Sequence, residues 1–389
     1  MNKVTINLHA LNSNLQTIGG WISRTGASWT VVSKVLCGHE DGLQALRALN
    51  VRSLGDSRMM NLGKIGKVMP DSEVWYLRPP NLSDVEAIVD LSDVSLNSEI
   101  EVINAINEQA GKQGKVHGII IMIELGDLRE GILPGALVNF YERVFNLPNI
   151  EVLGIGANLG CLSGVVPNID QLMQLILYKE LLELKFDQRM PFVSAGSSAV
   201  LPLLYAGTCP KAINHFRIGE ALFLGSDLIN GGTLPGLRDD VVLVEAEIAE
   251  IKKKSLVPLG ETSDITPFQY TADEESSPGQ RGYRALVMIG QLDTDVSGLT
   301  PVNPEFQIAG ASSDIIVVNL GDSAQGLGVG DSIKFRVSYS ALLRLMNDKY
   351  VDKVVSPDPS QFIEDIRGLV GPGVPPVLNG HLQEVNPIP

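Results

Sequence analysis

Up to about residue 225 the chain alternates short β-branched runs with helical patterns, and this constrains its fold more than any other feature. Candidate strands fall at 29–35, 51–54, 74–77, 94–96, 119–123, 152–155, 192–194 and 216–223. Strands that alternate with helices run parallel and are joined by crossover connections. About eight β/α units of this length predict an α/β fold, a (β/α)8 TIM barrel. Helical stretches carry start signals: Ser98-Glu99-Ile100-Glu101 reads as a capping box before the apolar-periodic run 100–106. The stretch 169–184 is a second amphipathic helix.

Beyond about Pro235 the texture changes to strands separated by Gly- and Asp-containing turns. Strands are expected at 240–251, 284–289, 306–308, 315–318 and 332–337. The polar stretch 252–283 reads as a connection, most loop-like at Asp273-Glu274-Glu275-Ser276-Ser277-Pro278-Gly279. The expected organisation is a barrel over 10–235 followed by a C-terminal all-β domain over 236–389, with the N-terminal strand 1–9 packing on the latter. The Pro-rich tail is expected to be extended.

Just past the expected barrel strands lie Lys34, Asp56-Ser57-Arg58, Arg78, Asn97-Ser98, Arg129, Asn158, Ser197-Ser198 and Arg217. In a barrel the carboxyl ends of the strands converge on one rim, where active sites form. Polar residues follow strands in any protein, but here Lys34, Arg58, Arg78, Arg129 and Arg217 are all cationic. The formal net charge of the whole chain is −15. A cationic rim on an acidic protein suits an anionic ligand such as a phosphate or carboxylate. The overall negative field disfavours nucleic acid as a partner.

Three cysteines (Cys37, Cys161, Cys209) cannot build a disulfide framework, which points to a reducing compartment. The start of the chain shows no apolar signal segment, and no stretch is long enough to span a bilayer. The expectation is a cytoplasmic protein without a membrane partner. The five histidines show no metal-ligand spacing with one another or with the cysteines, so no metal site is expected.

Lys34 closes the apolar run Trp29-Thr30-Val31-Val32-Ser33. Burial at a strand mouth disfavours the ammonium and leaves a nucleophilic amine, as a Schiff base to pyridoxal 5'-phosphate requires. The ordinary alternative is a snorkelling lysine. Thr30-Val31-Val32-Ser33-Lys34-Val35-Leu36-Cys37-Gly38 resembles the cofactor-lysine segment of the alanine racemase-like, fold type III enzymes, closest to their ornithine racemase-like branch. Further matches follow in order: Asp56-Ser57-Arg58, Leu125 through Gly131, Gly154 through Cys161, Ser194-Ala195-Gly196-Ser197-Ser198, Arg217 through Ala221, and Gly310 through Asp314. Together they cover nearly the whole chain.

The resemblance implies roles. Lys34 would hold the cofactor and act as one acid/base group at the substrate Cα. Arg217 would face the pyridine nitrogen and, holding its proton, keep that nitrogen unprotonated. Ser197, Ser198, the Gly219–Glu220 backbone amides and Tyr339 would form the phosphate cradle. Arg129 would meet the cofactor's phenolic oxygen or the substrate carboxylate, and Asn158 would lie near the ring. Ser313 and Asp314 match the partner-subunit segment that meets the substrate, which implies a homodimer with shared sites.

Two departures stand out. Gln291, in Ile289-Gly290-Gln291-Leu292-Asp293, occupies the position of the family's second catalytic base, a tyrosine. Asp293 is the first substitute considered, ahead of Cys161 and Tyr283, although a turn role fits it equally. Met122 stands where many alanine racemases carry a modified lysine that braces the arginine, so Asp127 or Glu124 is expected to hold Arg129. The implied activity is racemisation of a free basic amino acid, ornithine or lysine. The alternatives are decarboxylation or aldol cleavage on the same fold, or a non-catalytic cofactor-binding protein.

Overall fold

The computed structural model describes residues 2–261 and 279–369. It divides into two compact units: one takes the chain up to Leu11 and Asp239–Asp358, the other Asn12–Arg238 and the chain from Pro359. Strand β1 (Lys3–Asn7) opens the chain and leads into the helix Leu8–Ser23.

Eight parallel strands then close into a barrel: β2 (Ser28–Val32), β3 (Ser53–Asp56), β4 (Glu73–Tyr76), β5 (Val94–Asn97), β6 (His117–Met122), β7 (Ile150–Ala157), β8 (Phe192–Ala195) and β9 (His215–Ile218). β9 returns to β2, pairing Thr30 with Arg217 and Val31 with Ile218. These strands read as near-continuous apolar runs because both faces are buried, one inside the barrel and one under the helices. β6, His-Gly-Ile-Ile-Ile-Met, is buried at every position.

The barrel matches the expected α/β architecture; most strand bounds move by one or two residues, and two strand ends move further. The expected strand 29–35 stops at Val32, and Lys34–Leu36 form a 3-10 turn. The expected strand 216–223 stops at Ile218, and Glu220–Leu224 is helical. Val35, Leu36 and the residues 221–224 are buried, so their apolar character did not distinguish strand from turn or helix. Helix Ile169–Phe186 begins with a reciprocal capping box between Asn168 and Gln171. Helix Ile100–Lys112 has Glu99 as its N-cap with no side-chain cap bond, so the box expected at Ser98 is not made.

The second unit is a mainly antiparallel sheet of β10 (Val242–Ser255), β11 (Arg281–Val287), β12 (Leu299–Pro301), β13 (Gln307–Ala311), β14 (Ile316–Gly321), β15 (Ser332–Val337) and β16 (Asp352–Ser356). Burial alternates along 242–248 of β10, as a one-sided sheet requires. β1 pairs antiparallel with β10 and parallel with β16. The unit also carries the helix Tyr339–Asn347. The polar stretch begins later than its composition suggests, since β10 runs to Ser255 and β11 starts at Arg281. Of the loop-like run 273–279, all but Gly279 lies outside the described residues, as does the tail from 370. Helix Pro359–Leu369 groups with the barrel unit rather than with a domain over 236–389, and it packs on helix Glu40–Ala48 with Phe362 buried. Among the described residues no helix is long and apolar enough to cross a membrane.

Candidate active site

Lys34 is half-buried at the carboxyl end of β2, the first residue of a turn closed by Cys37 at φ 49° and Gly38 at φ 68°. Ser33 ties this turn to β3, its amide donating to Gly55 O at 2.9 Å and its hydroxyl to Asp56 Oδ2 at 3.4 Å. Asp56 also accepts from the amides of Ser57 and Arg58 and from Asn61 Nδ2. Burial raises the Asp56 carboxyl above its ordinary range, against the pull of those bonds. Arg58 and Arg78 are exposed and remain outside the network described next.

Arg217 sits inside β9 rather than past it and is 5% exposed. Its Nη1 donates to Ser194 O at 2.8 Å and to Ser194 Oγ. Its Nη2 donates to Ala157 O at 2.9 Å and to Asn158 Oδ1 at 2.8 Å. Burial pushes the guanidinium down to about 10, while the Glu130 carboxylate pulls the other way. The group therefore stays cationic at neutral pH. The guanidinium plane is set by β7, β8 and β9 together.

Asn158, directly after β7, links this cation to the next one. Its Nδ2 donates to Glu130 Oε1, and Glu130 Oε2 lies 2.9 Å from Arg129 Nε. The Glu130 side chain is only 6% exposed. Glu130 therefore holds Arg129, and the expectation of Asp127 or Glu124 in that role is corrected. Glu124 instead accepts from the backbone amides of Gly126, Leu128 and Arg129. Asp127 accepts from the amides of Cys161, Leu162 and Ser163, which hold its carboxyl below the usual range against burial. Met122 packs into an apolar cluster with Trp75, Leu96 and Ile120. Arg129 Nη1 reaches the exposed Cys161 Sγ at 3.2 Å.

β8 and β9 are the seventh and eighth barrel strands, whose following loops commonly hold phosphates in this architecture. Ser198 is buried there; its Oγ accepts from the Ala221 amide at 3.0 Å and keeps its own proton for a further acceptor. Ser197 is spent locally, accepting from the Ala199 amide and donating to Leu159 O. A Cβ on Gly219 would lie 2.9 Å from both Cβ and O of Val32, so contact with β2 already demands glycine at this position. Glu220 is raised by burial, offset in part by the charge of Lys34.

In the sheet unit the structure brings Asp293, Ser313 and Asp314 together. Gln291 N donates to Ser312 O, and Leu292 N to Ser313 O at 2.8 Å. Ser313 Oγ donates to Asp314 Oδ1 at 2.6 Å. Asp293 Oδ2 accepts from the Gly290 amide at 2.8 Å, so it closes its own turn. Burial raises the Asp293 carboxyl, and the charges of Asp348 and Asp314 push the same way. Tyr339 is half-buried and opens the helix Tyr339–Asn347, capped by Ser338. Tyr283 lies in β11. Among the described residues no cluster of His, Cys, Asp and Glu could hold a metal ion.

Glu130 and Ser194 contribute to the site without a signal of their own in the sequence, and His215 on β9 lies beside Ser194. Glu130 and Ser194 fall inside recognised segments, and His215 shares a strand face with Arg217 two residues on.

The family profile "alanine racemase, N-terminal domain" matches residues 6–227. An ornithine racemase of Acetoanaerobium sticklandii is 35% identical over 352 residues, 90% of this chain and 98% of that protein. A lysine racemase of Thermotoga maritima is 32% identical over 355 residues, 91% and 98% of the two chains. Among solved structures, an alanine racemase from Streptomyces coelicolor superposes with a TM-score of 0.70 at 19% identity, covering 92% of this chain and 98% of the other. An alanine racemase from Bartonella henselae with covalently bound pyridoxal phosphate gives 0.67 at 16% identity, covering 91% and 99%. At such identities the structural likeness speaks for the fold. By its profile match and its curated relatives, the chain belongs to the alanine racemase N-terminal-domain family, in the ornithine racemase-like branch.

Proposed function

We propose that this protein is a pyridoxal 5'-phosphate-dependent racemase of a free basic amino acid, ornithine or lysine. The observation that carries the reading is the buried, fully oriented Arg217 guanidinium on β9, the strand paired with the one that delivers Lys34. The residues present fit the cofactor: a lysine at the rim, a fixed cation for the ring nitrogen, and the Ser198 hydroxyl with the Gly219 and Glu220 amides for the phosphate.

When bound, the cofactor supplies an electron sink that acidifies the substrate Cα proton. Lys34 would hold it through the ε-amine and move a proton at Cα on one face. Arg217 keeps its own protons, so it weakens the sink and favours return of the proton over side reactions. Arg129, fixed by Glu130, would bind the substrate carboxylate or the phenolic oxygen, and Asn158 links Arg217 to Glu130 through its amide. Tyr339 is the further proposed phosphate contact, while Ser197, its proton given to Leu159 O, shapes the loop that presents Ser198.

Racemisation needs a second acid/base group on the opposite face. We assign it to Asp293, a carboxyl that burial raises above its ordinary range. Ser313 and Asp314 would meet the substrate, and a carboxylate there suits a cationic side chain. The family's architecture makes a homodimer with shared sites the expected assembly. Three free cysteines favour a cytoplasmic location.

The test is incubation with the cofactor and L-amino acids in heavy water, followed by chiral chromatography with mass detection. Deuterated D-product from ornithine or lysine is the expected result. Exchange with retained configuration leaves one working face and removes Asp293. No exchange on any substrate refutes the racemase reading.

A further inference from the structure

A continuous chain of hydrogen bonds runs through the barrel interior from Arg217 to a carboxylate at the opposite mouth. Arg217 Nη1 donates to Ser194 Oγ, which lies 2.7 Å from His215 Nδ1. His215 Nε2 is 3.1 Å from Thr30 Oγ1, and Thr30 Oγ1 is 2.8 Å from Ser53 Oγ. Ser53 Oγ donates to Glu73 Oε2 at 2.9 Å, which also accepts from Trp75 Nε1 at 2.8 Å. Glu73 lines a cavity of about 480 Å³ at the amino-terminal mouth of the barrel, with Asp93, Lys115 and His117.

The carboxylate end fixes the direction of every link. A guanidinium only donates and a carboxylate only accepts. A hydroxyl can accept twice, so the order is set from the carboxylate: Ser53 gives its one proton to Glu73, and Thr30 gives its own to Ser53. His215 Nε2 must then donate to Thr30, which leaves Nδ1 of a neutral ring to accept from Ser194 while Ser194 Oγ receives from Arg217. His215 is stacked on Trp75, ring centroids 4.4 Å apart and planes 10° from parallel, which fixes the plane of the imidazole. Thr30, Ser53, Ser194 and His215 are each at most 2% exposed, leaving no water to substitute for a missing partner.

We infer that His215 is a positioning residue which, as the neutral Nε2–H tautomer, keeps the Ser194 hydroxyl turned to accept from Arg217, and that the relay ending at Glu73 enforces this tautomer. The inference rests on the proposed role of Arg217 at the cofactor ring. Burial and the Arg217 charge both press His215 away from the imidazolium, in keeping with the geometry.

The test has two parts. In cofactor-free protein labelled with 15N-histidine, two-bond proton–nitrogen spectra read the tautomer of His215, assigned by its loss in His215→Gln. One unchanging Nε2–H neutral ring is expected between about pH 5 and 9. An Nδ1–H ring or an imidazolium overturns the relay. In cofactor-loaded protein, Thr30→Val removes the acceptor of Nε2–H while keeping shape. It should move the proton to Nδ1 and shift the titration midpoint of the visible absorption band by about one pH unit, a tenfold change in equilibrium. Thr30→Ser should restore the midpoint, and Ser53→Ala, one link further, should move it less in the same direction. A Thr30→Val titration superimposed on the wild type overturns the inference. A wild type with no visible band fails the Lys34 reading instead, and the imidazole spectrum still decides the relay.

Discussion

His117 makes the barrel sensitive to acid by an amount that follows from its surroundings. It begins β6, is 3% exposed, and its Nε2 lies 2.9 Å from Ser95 Oγ. Asn97 Nδ2 also donates to Ser95 Oγ, which leaves the hydroxyl proton of Ser95 available to the imidazole. Burial, then the Lys115 charge, push the imidazole down to about 4. In the unfolded chain it titrates near the ordinary value of about 6.5. As pH falls through this window the unfolded state takes up a proton that the folded state refuses, so stability falls with pH and levels off near the folded value. A gap of about 2.5 units corresponds to about 3 kcal/mol in full, and about 2 kcal/mol is lost by pH 5. Buried His215 shifts in the same direction and adds to the loss.

The assay is urea unfolding at about pH 8 and pH 5, followed by tryptophan fluorescence. Trp21, Trp29 and Trp75 are the chain's three tryptophans and all lie in the barrel unit, so the signal reports that unit. His117→Gln, whose amide oxygen can replace Nε2 as acceptor for Ser95, cannot take up the proton. The variant should lose about 2 kcal/mol less than the wild type between the two pH values. Equal losses in both proteins would refute the assignment of the acid sensitivity to His117.

Other outcomes follow from the site. Glu130→Gln should raise KM about tenfold, or about 1.4 kcal/mol, with kcat nearly unchanged; the figure is modest because Arg129 is one-third exposed. A fall in kcat at constant KM would show that Glu130 does not act through Arg129. Gly219→Ala drives a Cβ to 2.9 Å from Val32 and should destabilise by about 1–3 kcal/mol in thermal melts while weakening cofactor binding. An unchanged melt would contradict the packing argument. Asp293→Asn should cut inversion by about a hundredfold or more while Lys34-dependent deuterium exchange continues on one enantiomer. Full inversion would pass the role to Cys161 or Tyr283, each then tested as Cys161→Ser and Tyr283→Phe.

The barrel was legible because parallel strands buried on both faces leave short runs of Val and Ile that no surface element needs. Its finer boundaries were not. Val35, Leu36 and Phe223 are buried in a turn and a helix as completely as they would be in strands, so hydrophobicity did not mark where β2 and β9 end. Lys34 and Arg217 could be found because their types are unusual at strand ends of an acidic chain. Glu130 could not: it is one of 45 acidic residues, and its partner Asn158 lies 28 positions away, brought near only by the pairing of β6 with β7. Arg129 stands out in the sequence but its brace does not, because the neighbouring acids Asp127 and Glu124 cap loop amides instead. The relay through His215 depends on the closure of β9 against β2, a register no local pattern encodes.

The central claim is that Lys34 carries the cofactor. Borohydride reduction of the protein loaded with pyridoxal 5'-phosphate, followed by proteolysis and mass spectrometry, measures this directly. The account predicts the cofactor's added mass on the peptide containing Lys34, located to that side chain by fragmentation and absent in Lys34→Ala. An adduct on another lysine, or none on a protein that racemises its substrate, would contradict it.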